Sequence, residues 1–210
     1  IEVSMKKLIL LTMIAGLVLS SCAKKSDSKK VKIGIAKIVQ HPALDAAEQG
    51  IIDVINENGI DAEFDMQNAN GDVNTAAQIA SQFKVKNVDV AVGIATPVAI
   101  ALSTTLKETP VVFGTVTDPV GAGLVDTVEY GKNNVTGMSD AIPTVEHIKL
   151  FAKITGIKTL GYIYTSNEAN SVSALELVKQ GCQEAGLSLV TQAISQSSEV
   201  KQAAETIINR

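Results

Sequence analysis

The sequence has few aromatic residues. It contains no tryptophan, three tyrosines and four phenylalanines in 210 residues. Proteins that bind single-stranded nucleic acids stack the bases on aromatic side chains, and this chain has few such side chains. Phosphate backbones require a basic protein surface, whereas the formal net charge here is −4 at pH 7. We therefore expect no nucleic-acid partner.

Cysteine and histidine are equally scarce, with two residues of each. The sequence contains no H-E-x-x-H pair, no G-x-S-x-G elbow and no P-loop string, so common signatures of hydrolases and nucleotide-binding enzymes are missing. Cys182 falls on a predicted helix and lies far in sequence from His41 and His147, which favours a buried apolar role for its thiol. The sequence predicts a protein that is not an enzyme and holds no metal or cofactor.

A short apolar run lies near the amino terminus. Met5-Lys6-Lys7 is basic, residues 8–19 are almost wholly apolar, and small residues lead to Cys22. This order is typical of a signal peptide, and a cysteine after small residues resembles the bacterial lipobox, in which the cysteine is lipidated. A transmembrane anchor is the alternative, but the run is shorter than the roughly 20 residues that a spanning helix needs.

These features predict where the protein is held. We assign residues 1–22 to a signal peptide with a lipobox and Cys22 to lipidation. Residues 23–30, AKKSDSKK, lack core-forming side chains and predict a disordered tether. We therefore expect a cell-membrane lipoprotein. Its lipid anchor holds it to the membrane, and its body faces the extracytoplasmic space.

From Val31 onward, strand-like apolar runs alternate with amphipathic helices. Strands are predicted at 31–38, 61–66, 88–94, 110–116, 160–164 and 187–194. The alternation predicts βαβ units, hence an α/β fold with parallel sheets flanked by helices. The stretch Thr117–Ile142 is rich in glycine and aspartate and predicts a crossover between two lobes.

The predicted strands divide unevenly between the lobes. Residues 31–140 form an N-terminal lobe with the first crossover and contain four predicted strands, whereas residues 141–210 contain two. A two-stranded sheet is too small to bury a core of its own. We therefore expect the C-terminal lobe to be only partly present in this chain.

Ligands of open α/β sheets bind beyond the carboxyl ends of the strands. Helix N-termini at that edge favour a carboxylate, and acidic side chains receive an ammonium group. His41 and Asp118 also suit turns, Thr96 also suits an N-cap, and Glu168 also suits a first helical turn. The candidate ligand-binding residues are Gln40, His41, Ala95, Thr96, Thr115, Asp118 and Asp140 in the first lobe and Tyr164, Thr165, Glu168 and Asn170 in the second.

Six strings at these loop positions carry a family resemblance. They are KIVQHPALDAAEQGI, NANGDVNTAAQIASQF, GIATPVAIAL, PVVFGTVTDPVGAGLV, NNVTGMSD and GYIYTSNEANS. In this order they resemble the substrate-binding lipoproteins of ABC transporters, a family that includes tryptophan- and tyrosine-binding members. The similarity runs from about Val31 to the end of the chain.

The resemblance implies a two-lobed, type I periplasmic-binding-protein fold. It implies capture of a small amino-acid-like solute between the lobes and its delivery to an ABC permease in the membrane. An aromatic amino acid is the leading solute, and we expect a monomer. The extracellular ligand-sensing domain of a signalling receptor is the alternative function.

Overall fold

A computed structural model describes residues 30–209. The predicted signal peptide, Cys22 and the tether up to residue 29 lie outside the described residues. The strands are β1 Val31–Lys37, β2 Ala62–Asn68, β3 Val90–Ile94, β4 Val111–Val116, β5 Val135–Ser139, β6 Thr159–Thr165 and β7 Ser188–Ile194. The helices are α1 Pro42–Glu57, α2 Val73–Lys86, α3 Thr96–Thr105, α4 Thr144–Thr155, α5 Ala169–Ala185 and α6 Val200–Ile208, which a 3₁₀ turn at Ser197–Glu199 precedes.

The first lobe is built on a parallel sheet with the strand order β2-β1-β3-β4-β5. The central strand β3 is apolar throughout, and four of its five residues are buried. Helices cover both faces of such a strand, so it has no need to alternate polar and apolar residues. The α/β prediction with parallel sheets is confirmed.

The two faces of this sheet bury different side chains. Ile33 and Ile35 of β1 pack with the apolar residues of α1 on one face. On the other face, α2 and α3 pack through a second cluster that includes Phe83 and Leu102. Gly34 lies between the two isoleucines and provides the space that the Phe83 ring occupies, since a Cβ there would lie 2.7 Å from the ring.

The segment between residues 117 and 142 differs from the sequence prediction. We expected an irregular crossover, but Val135–Ser139 forms β5 and pairs in parallel with β4. Only Val135 of this strand is buried, and its other four residues are exposed. The strand is at the edge of the sheet and therefore lacks the apolar pattern by which a strand is predicted.

The second lobe contains β6 and β7, which form a parallel two-stranded sheet among the described residues. Helices α5 and α6 both pack on these strands, and α4 packs against α5. Cys182 of α5 is 2% exposed, and burial raises the pKa of its thiol. The prediction that Cys182 is a buried apolar residue is confirmed.

The glycine in β3 permits close packing of α3 and gives a test of the fold. A Cβ on Gly93 would lie 2.9 Å from Ala99 Cα, which is backbone and cannot turn away. We therefore expect Gly93→Ala to lower the free energy of unfolding by about 1–3 kcal/mol, measured by urea titration. The matched control is Gly114→Ala in β4, where no atom lies within 4 Å of the added Cβ. Equal losses in the two variants would contradict this packing.

Candidate functional site

Two residues with unusual backbone conformations lie side by side at the carboxyl edge of the first sheet. Ala95 has φ 83° and ψ 153°, and Thr115 has φ 52°. They directly follow the paired residues Ile94 and Gly114, and the Ala95 N–H donates to the Gly114 carbonyl at 3.0 Å. Non-glycine residues adopt these conformations at a cost of about 1–3 kcal/mol, and such strain concentrates at ligand-binding sites. Both residues belong to the sequence-predicted set.

The strand β4 is irregular at the same place. Its register with β5 shifts between Phe113 and Val116, so Thr115 lies in the bulge. Bulges turn a side chain away from the position that a regular strand would give it. The Thr115 hydroxyl is buried and has no hydrogen-bond partner in the part of the chain that the structure describes.

The amino end of α3 lies beside Ala95. Thr96 is the first residue of the helix and is 2% exposed, while Ala95 holds the N-cap position without a capping side chain. The prediction that Thr96 is the N-cap is therefore wrong by one residue. The backbone N–H groups of the first turn thus donate to no capping side chain, which is the arrangement that binds anions at helix N-termini.

His41 and Gln40 follow β1 at this edge, and both are exposed. His41 is the N-cap of α1, and its Nδ1 accepts a hydrogen bond from the Ala43 N–H at 3.2 Å. The sequence analysis gave a turn as the alternative role of His41, and the structure places it as the cap of α1. Ligand contact by either residue stays a prediction.

A cluster of three charges forms where β1 passes into α1. Lys37 Nζ lies 2.6 Å from carboxylate oxygens of both Asp45 and Glu48. Its side chain is only 13% exposed. The hydrogen bonds that Lys37 donates to Asp45 and then to Glu48 raise the pKa of Lys37 above its ordinary value of 10.5. The carboxylate of Asp45 is therefore already paired with a cation of the protein itself.

The two predicted acids of the first lobe differ in their partners. Asp118 is half-buried, and its carboxylate accepts a hydrogen bond from the Gly121 N–H at 2.7 Å. That bond is the turn-forming role of an aspartate before proline. Asp140 is exposed, and its backbone N–H donates to the Val116 carbonyl at 3.3 Å. It therefore lies beside the carboxyl end of β4.

The second lobe places its predicted residues around the amino end of α5. Tyr164 and Thr165 end β6, and the Thr165 N–H donates to the Ser171 hydroxyl at 2.8 Å. Glu168 holds the N-cap position without a capping hydrogen bond from its side chain. Asn170 follows in the first turn, and its Oδ1 is buried without a partner among the described residues.

A cleft of about 420 Å³ separates the two lobes. One wall is Thr117 and Asp118 after β4 with Ala141 and Ile142 after β5. The other wall is a face of α5 that carries Ser173, Ala174, Glu176 and Leu177. The sequence analysis did not predict this second wall, because residues spaced three and four apart on one helix face are equally typical of a buried core.

The described residues contain neither a candidate metal centre nor a candidate membrane span. Residues 30–209 contain no group of three histidine, cysteine, aspartate or glutamate side chains placed to hold a metal ion. Over the same residues, every helix is too short or too polar to cross a bilayer.

Parallel sheets flanked by helices, in two lobes with a cleft between them, define the class of type I periplasmic binding proteins. The family model described as ABC transporter substrate binding protein matches residues 32–210, and the chain belongs to that family. A curated relative, the tyrosine-binding protein of Clostridioides difficile strain R20291, is 36% identical over 193 residues. The match covers 89% of this chain and 56% of that relative, so the chain spans little more than half of its length.

Two solved structures with bound and unbound ligand sites are similar to this chain. An ABC domain from Streptococcus pneumonia in complex with L-Trp is 34% identical, with a TM-score of 0.81 over 86% of this chain and 63% of that chain. The ligand-free, open structure of a substrate-binding protein from Clostridium difficile is 36% identical, with a TM-score of 0.57 over 84% and 62%. At nearly equal identity and coverage, the TM-score is therefore higher for the tryptophan-bound structure than for the ligand-free, open one.

The strain at Ala95 gives a test of the site geometry. Glycine adopts this backbone conformation freely, so we expect Ala95→Gly to raise the free energy of unfolding by about 1 kcal/mol. The matched control is Ala77→Gly at an exposed position within α2, which should lower it by about 1 kcal/mol. Urea titration of both variants measures whether the free energy of unfolding rises or falls. A loss of stability in Ala95→Gly would contradict strain at this edge.

The charge cluster gives a prediction of pH dependence. Because the folded-state pKa of Lys37 is raised, its stabilisation is present below about pH 10.5 and is lost as the pH rises through the folded-state pKa. We expect Lys37→Met to cost about 1–2 kcal/mol at pH 8, and the difference from the unmutated protein to shrink above pH 10.5. Lys149→Met, which breaks an exposed pair with Glu184, should cost less. Urea titrations from pH 8 to 12 measure the free energy of unfolding of each variant. A difference between Lys37→Met and the unmutated protein that stays constant over this range would contradict the raised pKa of Lys37.

Proposed function

We propose that this chain is the solute-binding part of an extracytoplasmic ABC-importer protein that captures an amino-acid-like solute and delivers it to a membrane permease. The observation that carries the proposal is the pair of strained residues, Ala95 and Thr115, at a sheet edge that faces the second lobe. An aromatic amino acid is the leading solute, because one similar protein is named for tyrosine binding and another was solved with L-Trp.

The cleft offers separate partners for the two charges of an amino acid. The amino end of α3 at Thr96 lacks a side-chain cap and suits the carboxylate. Asp140 and Glu168 have carboxylates at the edges of the two lobes and suit the ammonium group. Phe113 is 4% exposed and belongs to the core, so it does not suit stacking on an aromatic ring. Tyr164 at the end of β6 remains the aromatic candidate.

The proposed location of the protein in the cell rests on the sequence before Lys30. The lipobox-like string ending in Cys22 supports a lipid-anchored protein on the outer side of a membrane. We further propose that the protein acts as a monomer and catalyses no reaction, since binding a zwitterion between polar groups needs no bond chemistry. The family match is to transport proteins, and it does not favour the alternative of a signalling receptor.

The direct test is binding by the complete protein. We expect L-Trp or L-Tyr to raise the free energy of unfolding by about 2.7 kcal/mol at one hundred times the dissociation constant, with titration calorimetry giving that constant. Asp140→Asn should weaken binding about tenfold, because it removes a charged partner of the ammonium group. Glu57→Gln, at an exposed position on α1, is the matched control and should leave affinity unchanged. Binding of none of the amino acids would contradict the proposed solute class.

A further inference from the structure

The first-lobe wall of the cleft is built from two separate segments of the chain. Thr117 and Asp118 follow β4, whereas Ala141 and Ile142 follow β5. Both segments lie beyond the last paired residues of the two strands, so the regular ladder of the sheet does not fix them. The shape of this wall therefore depends on the contacts that join one segment to the other.

The side chain of Ser139 joins the two segments. Ser139 is the last residue of β5 and pairs with Val116 of β4. Its hydroxyl donates a hydrogen bond to the Thr117 carbonyl at 3.2 Å and accepts one from the Ala141 N–H at 3.1 Å. A bond to an N–H two residues further on is a local turn that serine often forms. The bond to Thr117 is different, because it connects parts of the chain that are distant in sequence.

The same hydroxyl lies at the start of the passage from the first lobe to the second. Residues 140–143 connect β5 to α4. Pro143 has φ −74° and ψ 69°, and the N–H of the next residue donates to the Ile142 carbonyl at 2.8 Å, which is the geometry of an inverse γ-turn. The proline ring fixes φ at this turn. The connection is thus held by Ser139 at one end and by Pro143 at the other.

We propose that Ser139 is a positioning residue for solute binding, whose hydroxyl holds the two segments of the cleft wall together and sets the direction in which the chain enters the second lobe. The proposal rests on the proposed function, since it concerns binding in the cleft. Ser139 does not itself line that cleft, so it acts through Thr117 and Ala141. Without the hydroxyl, the two segments must be ordered each time a solute binds, and this ordering lowers the affinity.

The hydroxyl can be tested with two variants of the same shape. Ser139→Thr and Ser139→Val both place a β-branched side chain at the exposed end of β5, and only threonine keeps the hydroxyl. In the complete protein, we expect Ser139→Val to bind L-Trp and L-Tyr about fivefold more weakly than Ser139→Thr. Ser139→Thr should bind as the unmutated protein does. Titration calorimetry measures the affinities, and equal affinity of the two variants would overturn the proposal.

Hydrogen exchange gives a second readout that needs no solute. In Ser139→Val the Ala141 N–H loses the oxygen to which it donates, so its exchange, followed by NMR, should be about tenfold faster than in Ser139→Thr. Equal exchange rates in the two variants would show that the hydroxyl does not hold the second segment of the wall, which would also overturn the proposal.

Ser81→Ala is the matched control in α2. The Ser81 hydroxyl donates to the Ala77 carbonyl at 3.0 Å, and neither residue lines the cleft. Its removal therefore costs a bond of the same kind without touching the wall. We expect the affinity and the exchange of the Ala141 N–H to equal those of the unmutated protein. A loss of affinity as large as in Ser139→Val would contradict a role specific to Ser139.

Failure of this proposal is distinguishable from failure of the proposed function. If the unmutated protein binds neither L-Trp nor L-Tyr, the proposed solute class fails, and the exchange rates still decide whether Ser139 holds the wall. If the unmutated protein binds and the two Ser139 variants bind equally well, only the positioning role of Ser139 fails.

Discussion

The parallel pairing of β3 and β4 is the constraint on which the site depends. Both strands have helices packed against them, and their register places Ala95 beside Thr115. A residue in a strained conformation relaxes unless its surroundings hold it. Here the Ala95 N–H bonds to the Gly114 carbonyl, and buried residues on both sides prevent the chain from shifting. The stability of the first lobe therefore keeps the binding edge in a shape that the isolated segments would not adopt.

In the proposed site, the carboxylates of Asp140 and Glu168 are the partners of an ammonium group, and backbone N–H groups are the partners of a carboxylate. Lys37 is the last residue of β1, and its ammonium group is already paired with the carboxylates of Asp45 and Glu48. A carboxylate ligand would then be held by the N–H groups of α3, whose partial charge is weaker than a full cation.

The sequence predicted the alternation of strands and helices because apolar periodicity marks buried elements directly. It failed for β5, where Val135 is the single buried residue of the strand. It selected Ala95 and Thr115 by their position after strands, but no sequence pattern reports a positive φ at a non-glycine residue. It also missed the α5 wall, because residues such as Ala174 and Leu177 are equally suited to a core. Contacts between lobes depend on how the crossover orients them, and local patterns contain little information about that.

The central claim is that the solute lies between the carboxyl edge of the first sheet and the amino end of α5. A crystal structure of the complete protein with L-Tyr or L-Trp tests it most directly. The account predicts solute density in contact with residues of both lobes, with the carboxylate at the amino end of α3. A solute bound elsewhere, or bound to one lobe without contact to the other, would contradict it.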